Sequence, residues 1–324
     1  MSVTRVKLRD FLVTPSTNVY LVLVILVLVF SVFSPQYRFS DPDNIEILLS
    51  IGLEFSILAL GVGLLMICGE FDLSVGSILV FSAYVFLKLF ETGINPFLSL
   101  LIVLGVGALL GLTNALITVK GQIPSFVTTL GTMMFWRGFT LLLSGGKQSP
   151  CDVSISPAFL TMLNGKIGNI PVQTIWFVAF AIILGIILHF HRFGNWIYAT
   201  GDNQEAARAM GINTNLVKII CFMIVGVLCA FVACSQISRT ACFTSRAGEG
   251  WEFKAVAASV IGGTSLLGGI GSMGGIFAGA LIISIIENGL VVMRIPYSWT
   301  YVVFGLVILF SVFSNAFVQK QSRG

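Results

Sequence analysis

Residues 11–37 read FLVTPSTNVYLVLVILVLVFSVFSPQY, twenty-seven positions without a single Asp, Glu, Lys or Arg. A membrane-crossing helix needs about 20 mostly apolar residues, so this stretch is long enough to cross a bilayer. Arg5, Lys7 and Arg9 precede it, and no small-residue cleavage site follows the apolar run. It therefore reads as a retained anchor rather than a removed signal peptide, with the amino terminus in the cytoplasm.

The same pattern recurs along the chain. Further apolar runs at 45–68, 73–87, 95–119, 123–143, 170–190, 216–238, 255–267, 273–290 and 297–317 bring the expected total to about ten crossings in one all-α membrane domain covering 1–324. Runs 73–87 and 255–267 are short and lie beside Gly/Ser-rich stretches, the pattern of broken or re-entrant helices. An even number of crossings puts both termini in the cytoplasm, together with the loop 192–215. Half of the 18 Lys and Arg fall on that side, so orientation rests on the flanks of the first helix.

Composition agrees with this class and excludes others. Charged residues make up 10% of the chain against about a quarter in soluble domains, and hydrophobic residues 56%. The net charge of +4 comes with no basic run interleaved with aromatics, which argues against a nucleic-acid groove. The six cysteines form no C-x-x-C pair, and His189 and His191 have no cysteine at zinc spacing. Cys221, Cys229 and Cys234 read as small packing residues of a membrane helix.

Two motifs resemble nucleotide chemistry without its context. Leu143-Ser144-Gly145-Gly146-Lys147-Gln148 looks like the signature peptide of ATP-binding cassette ATPases, but the chain has no G-x-x-x-x-G-K-[ST] phosphate loop, so it reads as a turn after a span. Gly269-Ile270-Gly271-Ser272-Met273-Gly274 fits G-x-G-x-x-G, yet it lies between membrane segments rather than between a strand and an amphipathic helix. Glycines that allow close packing explain it better. No nucleophile, base and acid are grouped as a hydrolase would require.

The most polar continuous stretch is 192–215. Asp202 or Asn203 can cap a short helix, Glu205 lies in its first turn, Ala206 and Ala207 propagate it, and Gly211 can end it in a left-handed conformation. Glu205-Ala206-Ala207 followed by Gly211 resembles the E-A-A-x-x-x-G loop of permease subunits of binding-protein-dependent ABC importers. With it stand Gly69-Glu70-Phe71-Asp72-Leu73-Ser74-Val75-Gly76-Ser77, Ile123-Pro124-Ser125-Phe126-Val127-Thr128-Thr129-Leu130-Gly131-Thr132-Met133 and Ala257-Ala258-Ser259-Val260-Ile261-Gly262-Gly263-Thr264-Ser265-Leu266-Leu267-Gly268-Gly269. Together these resemble the ribose, arabinose, galactose and xylose permease family, which includes autoinducer-2 permeases. The likeness runs from about residue 45 to 315. Cys242 and Trp251, in the segment 241–252, depart from the family's pattern for this outer loop.

The resemblance implies a bacterial inner-membrane permease that imports a sugar or sugar-like solute and holds no cofactor. ATP and Mg would bind a cytoplasmic ABC ATPase, an external sugar-binding protein would deliver the solute, and a second permease copy or paralogue would complete the pathway. Asp202, Glu205, Ala206, Ala207, Arg208 and Gly211 would form the ATPase-coupling loop, with Glu205 and Arg208 as charged anchors. Glu54, Asp72, Ser74, Gly76, Thr128, Thr129, Arg137, Glu287 and Asn288 are pathway or structural candidates. Asp72 is expected to cap the third helix, and Glu54, Arg137, Glu287 and Asn288 to pair inside the bundle because ionisable and amide groups are costly in hydrocarbon. The alternative is a secondary transporter or channel driven by an ion gradient, in which Glu54 and Glu287 would be the coupling carboxylates.

Overall fold

The computed structural model describes residues 15–151, 156–296, 298–306 and 309. Arg5, Lys7 and Arg9, and most of the expected crossing at 297–317, lie outside these residues. The fold is helical: α1 (Pro15–Phe33), α2 (Pro42–Ile67), α3 (Val75–Glu91), α4 (Pro96–Gly121), α5 (Ser125–Ser144), α6 (Pro157–Asn164), α7 (Val172–Phe190), α8 (Arg192–Asp202), α9 (Gln204–Ala209), α10 (Thr214–Thr240), α11 (Trp251–Ile261) and α12 (Met273–Val292). Among the described residues six of these, α2, α4, α5, α7, α10 and α12, are long and apolar enough to cross a membrane, so the chain is a multi-pass membrane protein.

Their bounds lie within three residues of the sequence expectation, because charge-free runs end where capping residues and turns begin. The two short runs fare differently. α3 continues to Glu91, and α11 begins at Trp251 and stops at Ile261, where Gly262 and the left-handed Gly263 end the helix that the sequence extended to 267. A run that is apolar on average can still be a turn when glycine supplies the positive φ.

The centre of the bundle is α2, in which every residue from Leu53 to Ile67 is buried. A helix that is apolar on all sides has no reason to face one direction, and it is here surrounded by α7, α10, α11 and α12. Its first half contains a π-helical stretch, Leu48–Gly52, whose Gly52 carbonyl accepts hydrogen bonds from Ser56 Oγ at 3.0 Å and Ser284 Oγ at 2.9 Å. The closest helix pair is α4 with α10, where a Cβ on Gly226 would run into the Gly107 carbonyl and one on Gly111 into the Phe222 carbonyl. Helices in lipid gain by this kind of backbone approach, since lipid is as apolar as their side chains. α5 and α7 form the outer ring, with Phe126, Phe135, Leu142, Ile182 and Phe190 exposed.

The described parts of the connection between α5 and α7 contain short strand pairings. Ser149–Pro150 (β1) pairs antiparallel with Cys242–Phe243 (β4), and Lys166–Ile167 (β2) with Ile170–Pro171 (β3). The signature-like peptide 143–148 closes α5 with Gly145 and Gly146 both left-handed, a turn as its context required. Trp251 opens α11 and meets Phe55 edge to face at 5.9 Å.

The α4–α10 contact gives a direct test. Gly226→Ala is expected to destabilise the chain by about 1–3 kcal/mol through overpacking against the Gly107 backbone. Gly131→Ala, whose Cβ meets no neighbour, is expected to leave stability unchanged or raise it slightly through helix propensity. Thermal unfolding of both variants in one detergent decides the matter: equal melting temperatures would refute the contact.

Candidate functional site

Between His191 and Asn215 the chain makes two helices where the sequence suggested one. α8 is capped by its own leading residue, His191, whose Nδ1 accepts from the Phe193 N–H at 3.1 Å. Gly194 lies so near the end of α7 that a Cβ there would collide with the Leu188 carbonyl. α9 is capped by Asn203, whose Oδ1 accepts from the Ala206 N–H at 3.0 Å, while Asp202 is the last residue of α8. Gly211, at φ +84°, follows α9, and the Ile212 N–H returns to the Ala207 carbonyl at 3.0 Å. This is the left-handed helix stop expected for that glycine.

Side chains fix α9 to its surroundings. Arg208 Nε donates to Thr214 Oγ1 and Nη2 to Asn215 Oδ1, both at 2.9 Å. Lys218 Nζ donates to Gln204 Oε1 at 2.9 Å and forms an ion pair with the buried Glu70. Arg208 is thus tied to the start of α10 while remaining exposed. Ala207 is buried, while Glu205, Ala206 and Gly211 are exposed. The residue the sequence reading missed is Met210, 83% exposed at the end of α9. Its signal was an apolar side chain placed immediately before a helix-ending glycine in a polar loop.

α8 rests on both interruptions of the bundle. The Gly269 N–H donates to the Ile67 carbonyl at 2.9 Å, Tyr198 Oη donates to the Gly271 carbonyl at 2.8 Å, and the Met273 N–H donates to His189 Nε2 at 3.2 Å. Partial burial raises the Tyr198 phenol above its ordinary range. Gly69, Gly201 and Gly268 meet backbone to backbone, with no room for a side chain at Gly201 or Gly268.

Just beyond Gly69, Asp72, Ser74 and Asn114 form a wholly buried cluster. Asp72 Oδ1 accepts from the Ser74 N–H at 2.8 Å and Ser74 Oγ at 2.6 Å, and Oδ2 accepts from Asn114 Nδ2 at 3.2 Å. Asp72 therefore holds the turn in front of α3, and the N-cap itself is Ser74, which corrects the expectation that Asp72 caps the helix. Asn114 had no sequence signal beyond being an amide in an apolar run. Gly76 brings α3 against the Gly248 carbonyl. Thr129 Oγ1 donates to the Ser125 carbonyl at 2.7 Å, whereas the buried Thr128 Oγ1 has no partner among the described residues.

The other polar candidates are paired across helices. Glu54 on α2 receives Arg239 of α10 through Nε to Oε1 at 3.0 Å and Nη2 to Oε2 at 2.9 Å. Glu287 on α12 receives Lys254 of α11 at 2.6 Å, and Asn288 exchanges amide hydrogen bonds with Asn44 at 3.0 Å in each direction. Arg137 Nη1 donates to the carbonyls of Ser245 at 3.3 Å and Ala247 at 2.9 Å. The sequence singled out one member of each set, and the partners Arg239, Lys254 and Asn44 emerged only from the packing. Among the described residues no group of three or more His, Cys, Asp or Glu could hold a metal ion.

Comparison with known proteins agrees with this architecture. The profile of a family described as "Branched-chain amino acid transport system / permease component" matches residues 44–312. The chain is 36% identical to the ribose import permease protein RbsC of Bacillus subtilis over 90% of each chain. It is 33% identical to the xylose/arabinose import permease protein XylH of Sulfolobus acidocaldarius, over 92% of this chain and 84% of that one. The autoinducer 2 import system permease protein LsrC of Yersinia pseudotuberculosis is 36% identical over 78% of this chain and 71% of its own. No solved structure matches.

The Glu54–Arg239 pair yields a prediction. Glu54→Ala leaves a guanidinium uncompensated inside the bundle and is expected to cost about 3–5 kcal/mol. Glu54→Ala combined with Arg239→Ala is expected to recover part of that loss. Thermal unfolding of the two single variants and the double variant measures the coupling, and strict additivity would show that the pair does not stabilise the fold.

Proposed function

The chain belongs to the family of branched-chain amino acid transport system / permease components, and on that basis we propose that it is the membrane subunit of an ATP-driven importer of a monosaccharide or sugar-like solute. The family description mentions amino acids, but the relatives similar over most of the chain are named for ribose, xylose/arabinose and autoinducer-2. A sugar-class solute is the reading those names favour. Permease subunits transport rather than catalyse, so the energy has to come from a partner ATPase that holds ATP and Mg.

The observation that carries the proposal is α9. With the residues that end it, it exposes Glu205, Ala206, Met210 and Gly211; Asn203 caps it, and Arg208 and Lys218 tie it to α10, Lys218 also pairing with Glu70. A short helix with small exposed residues and a fixed base suits docking into a cleft, and its contact with α8, together with Lys218 bridging Gln204 to Glu70, offers a route for force into the bundle. In this proposal the 192–215 loop and both termini lie in the cytoplasm, the chain makes about ten crossings, and a second permease copy or paralogue completes the pathway. The turns around β1, β4 and α6 then face outward, toward an external sugar-binding protein.

A gradient-driven transporter fits less well. Its coupling carboxylate has to exchange an ion with water, whereas Glu54 and Glu287 are each neutralised by a cation, Arg239 and Lys254, at hydrogen-bond distance.

The test is a pull-down of the tagged chain from its native membrane with assays of ATPase activity and sugar uptake. Glu205→Arg reverses a charge at the dock and is expected to lower uptake roughly tenfold or more. Gly211→Leu forces a side chain into a left-handed position and is expected to do the same, with the chain still inserted. Unchanged uptake in both variants would sink the docking role of α9.

A further inference from the structure

The glycine-rich turn between α11 and α12, residues 262–272, is a sequence motif that the coupling loop does not account for. Gly263, Gly268 and Gly269 adopt left-handed conformations, at φ +84°, +84° and +70°, and fold the turn onto α8. Gly268 abuts Gly201 and Gly69, and Gly269 abuts Asp202, the residue one position before the cap of α9. Hydrogen bonds from the Gly269 N–H to Ile67 and from Tyr198 to Gly271 hold it there. Internal bonds from the Ser265 N–H to the Ile270 carbonyl at 3.0 Å and from the Leu267 N–H to Ser265 Oγ at 3.1 Å make the turn rigid.

Two apolar side chains project from this frame, Leu267 at 79% and Ile270 at 54% exposure. Lipid does not explain them, because irregular backbone with open polar groups is not found facing hydrocarbon. They face water or a protein. α9 starts two residues after Asp202, so Leu267 is one residue away from Gly268, which packs on the segment leading into α9, while Met210, 83% exposed, follows its end. Between them lie small and polar residues, Glu205 and Ala206. The exposed groups in order are an apolar knob on the 262–272 turn, a compact helix reached through the Gly269–Asp202 contact, and a second apolar knob.

We propose that Leu267, supported by Ile270, is a second contact point for the same cytoplasmic ATPase that receives α9. This rests on the docking role of α9, and the occupant follows from the turn's contact with Gly201 and Asp202 at the approach to α9: a body large enough to enclose α9 from the Asp202 side would meet Leu267. The turn is fastened to Ile67 and Gly69 as well as to Gly201, so the contact would apply the ATPase's movement to both interruptions of the bundle rather than to α9 alone.

Benzoylphenylalanine placed singly at Leu267, Met210 or Leu142 in the assembled transporter distinguishes the outcomes, Leu142 being 83% exposed at the opposite end of α5. Crosslinks to the ATPase from positions 267 and 210 but not from 142 are the expected result. A crosslink from 210 without one from 267 would overturn this inference and leave the α9 reading standing. Absence of a crosslink from both would overturn the two together, and capture of a second copy of this chain from 267 would overturn the second contact. Leu267→Asp changes a side chain that is mostly exposed, so the chain is expected to fold. The apparent affinity of purified ATPase for this variant in nanodiscs is expected to fall roughly tenfold, and an unchanged affinity would refute the proposal.

Discussion

Backbone N–H and C=O groups packed inside a protein need partners, and this chain interrupts its helices between Ile67 and Val75 and again between Ile261 and Met273. The two interruptions lie against each other and are joined by a hydrogen bond. The Gly269 N–H of the second reaches the last carbonyl of α2, while Ser125 Oγ and the Asp72 carboxylate take the N–H groups of Phe71 and Ser74 in the first. This close approach explains glycine at positions 201 and 268, where a Cβ would run into neighbouring backbone, while Gly69 supplies the left-handed conformation, φ +84°, that ends α2.

The same constraint orders the polar residues. α2 is buried on every face, so Glu54 can stay only with a cation from a neighbouring helix, and Arg239 arrives from α10 in a two-bond geometry. Glu287 and Lys254 join α12 to α11, and Asn288 and Asn44 join α12 to the start of α2. Each pair fixes one helix against another at a definite height, which nonspecific apolar packing does not do. The pairs therefore read as register marks of the bundle. Replacing a pair by apolar residues need not reduce stability, but it would remove the penalty on sliding.

The long helices were legible because a charge-free run of membrane length has few alternative structures. α9 was legible for a local reason: its cap, its alanines and its stop at Gly211 all lie within ten residues. α8 was not. Its sequence contains Gly194 and Gly201, poor helix formers, and both are there because the Leu188 and Ile67 carbonyls press against them. The end of α11 was misplaced for the opposite reason, since Gly262 to Leu267 is apolar enough to pass for helix and only the backbone conformation of Gly263 shows that it turns. Ion-pair partners were invisible because Arg239 and Lys254 lie at helix ends in sequence, and which carboxylate each meets depends on how the helices cross.

These observations bear on how movement could pass through the molecule. α9 is joined to α10 through Arg208 and Lys218, and Lys218 is joined to Glu70 at the first interruption. α8 is joined to the second through Tyr198 and Gly271. A displacement of the 192–215 loop is thus delivered to α10 directly and to α3 and α12 through the turns that precede them. Continuous helices resist bending because each turn is hydrogen-bonded to the next, whereas the turns at 68–74 and 262–272 are held by a few identifiable bonds. The bundle is stiff along its helices and jointed where the loop touches it, so force applied at that end would reorient α3 and α12 as bodies before it deformed α2.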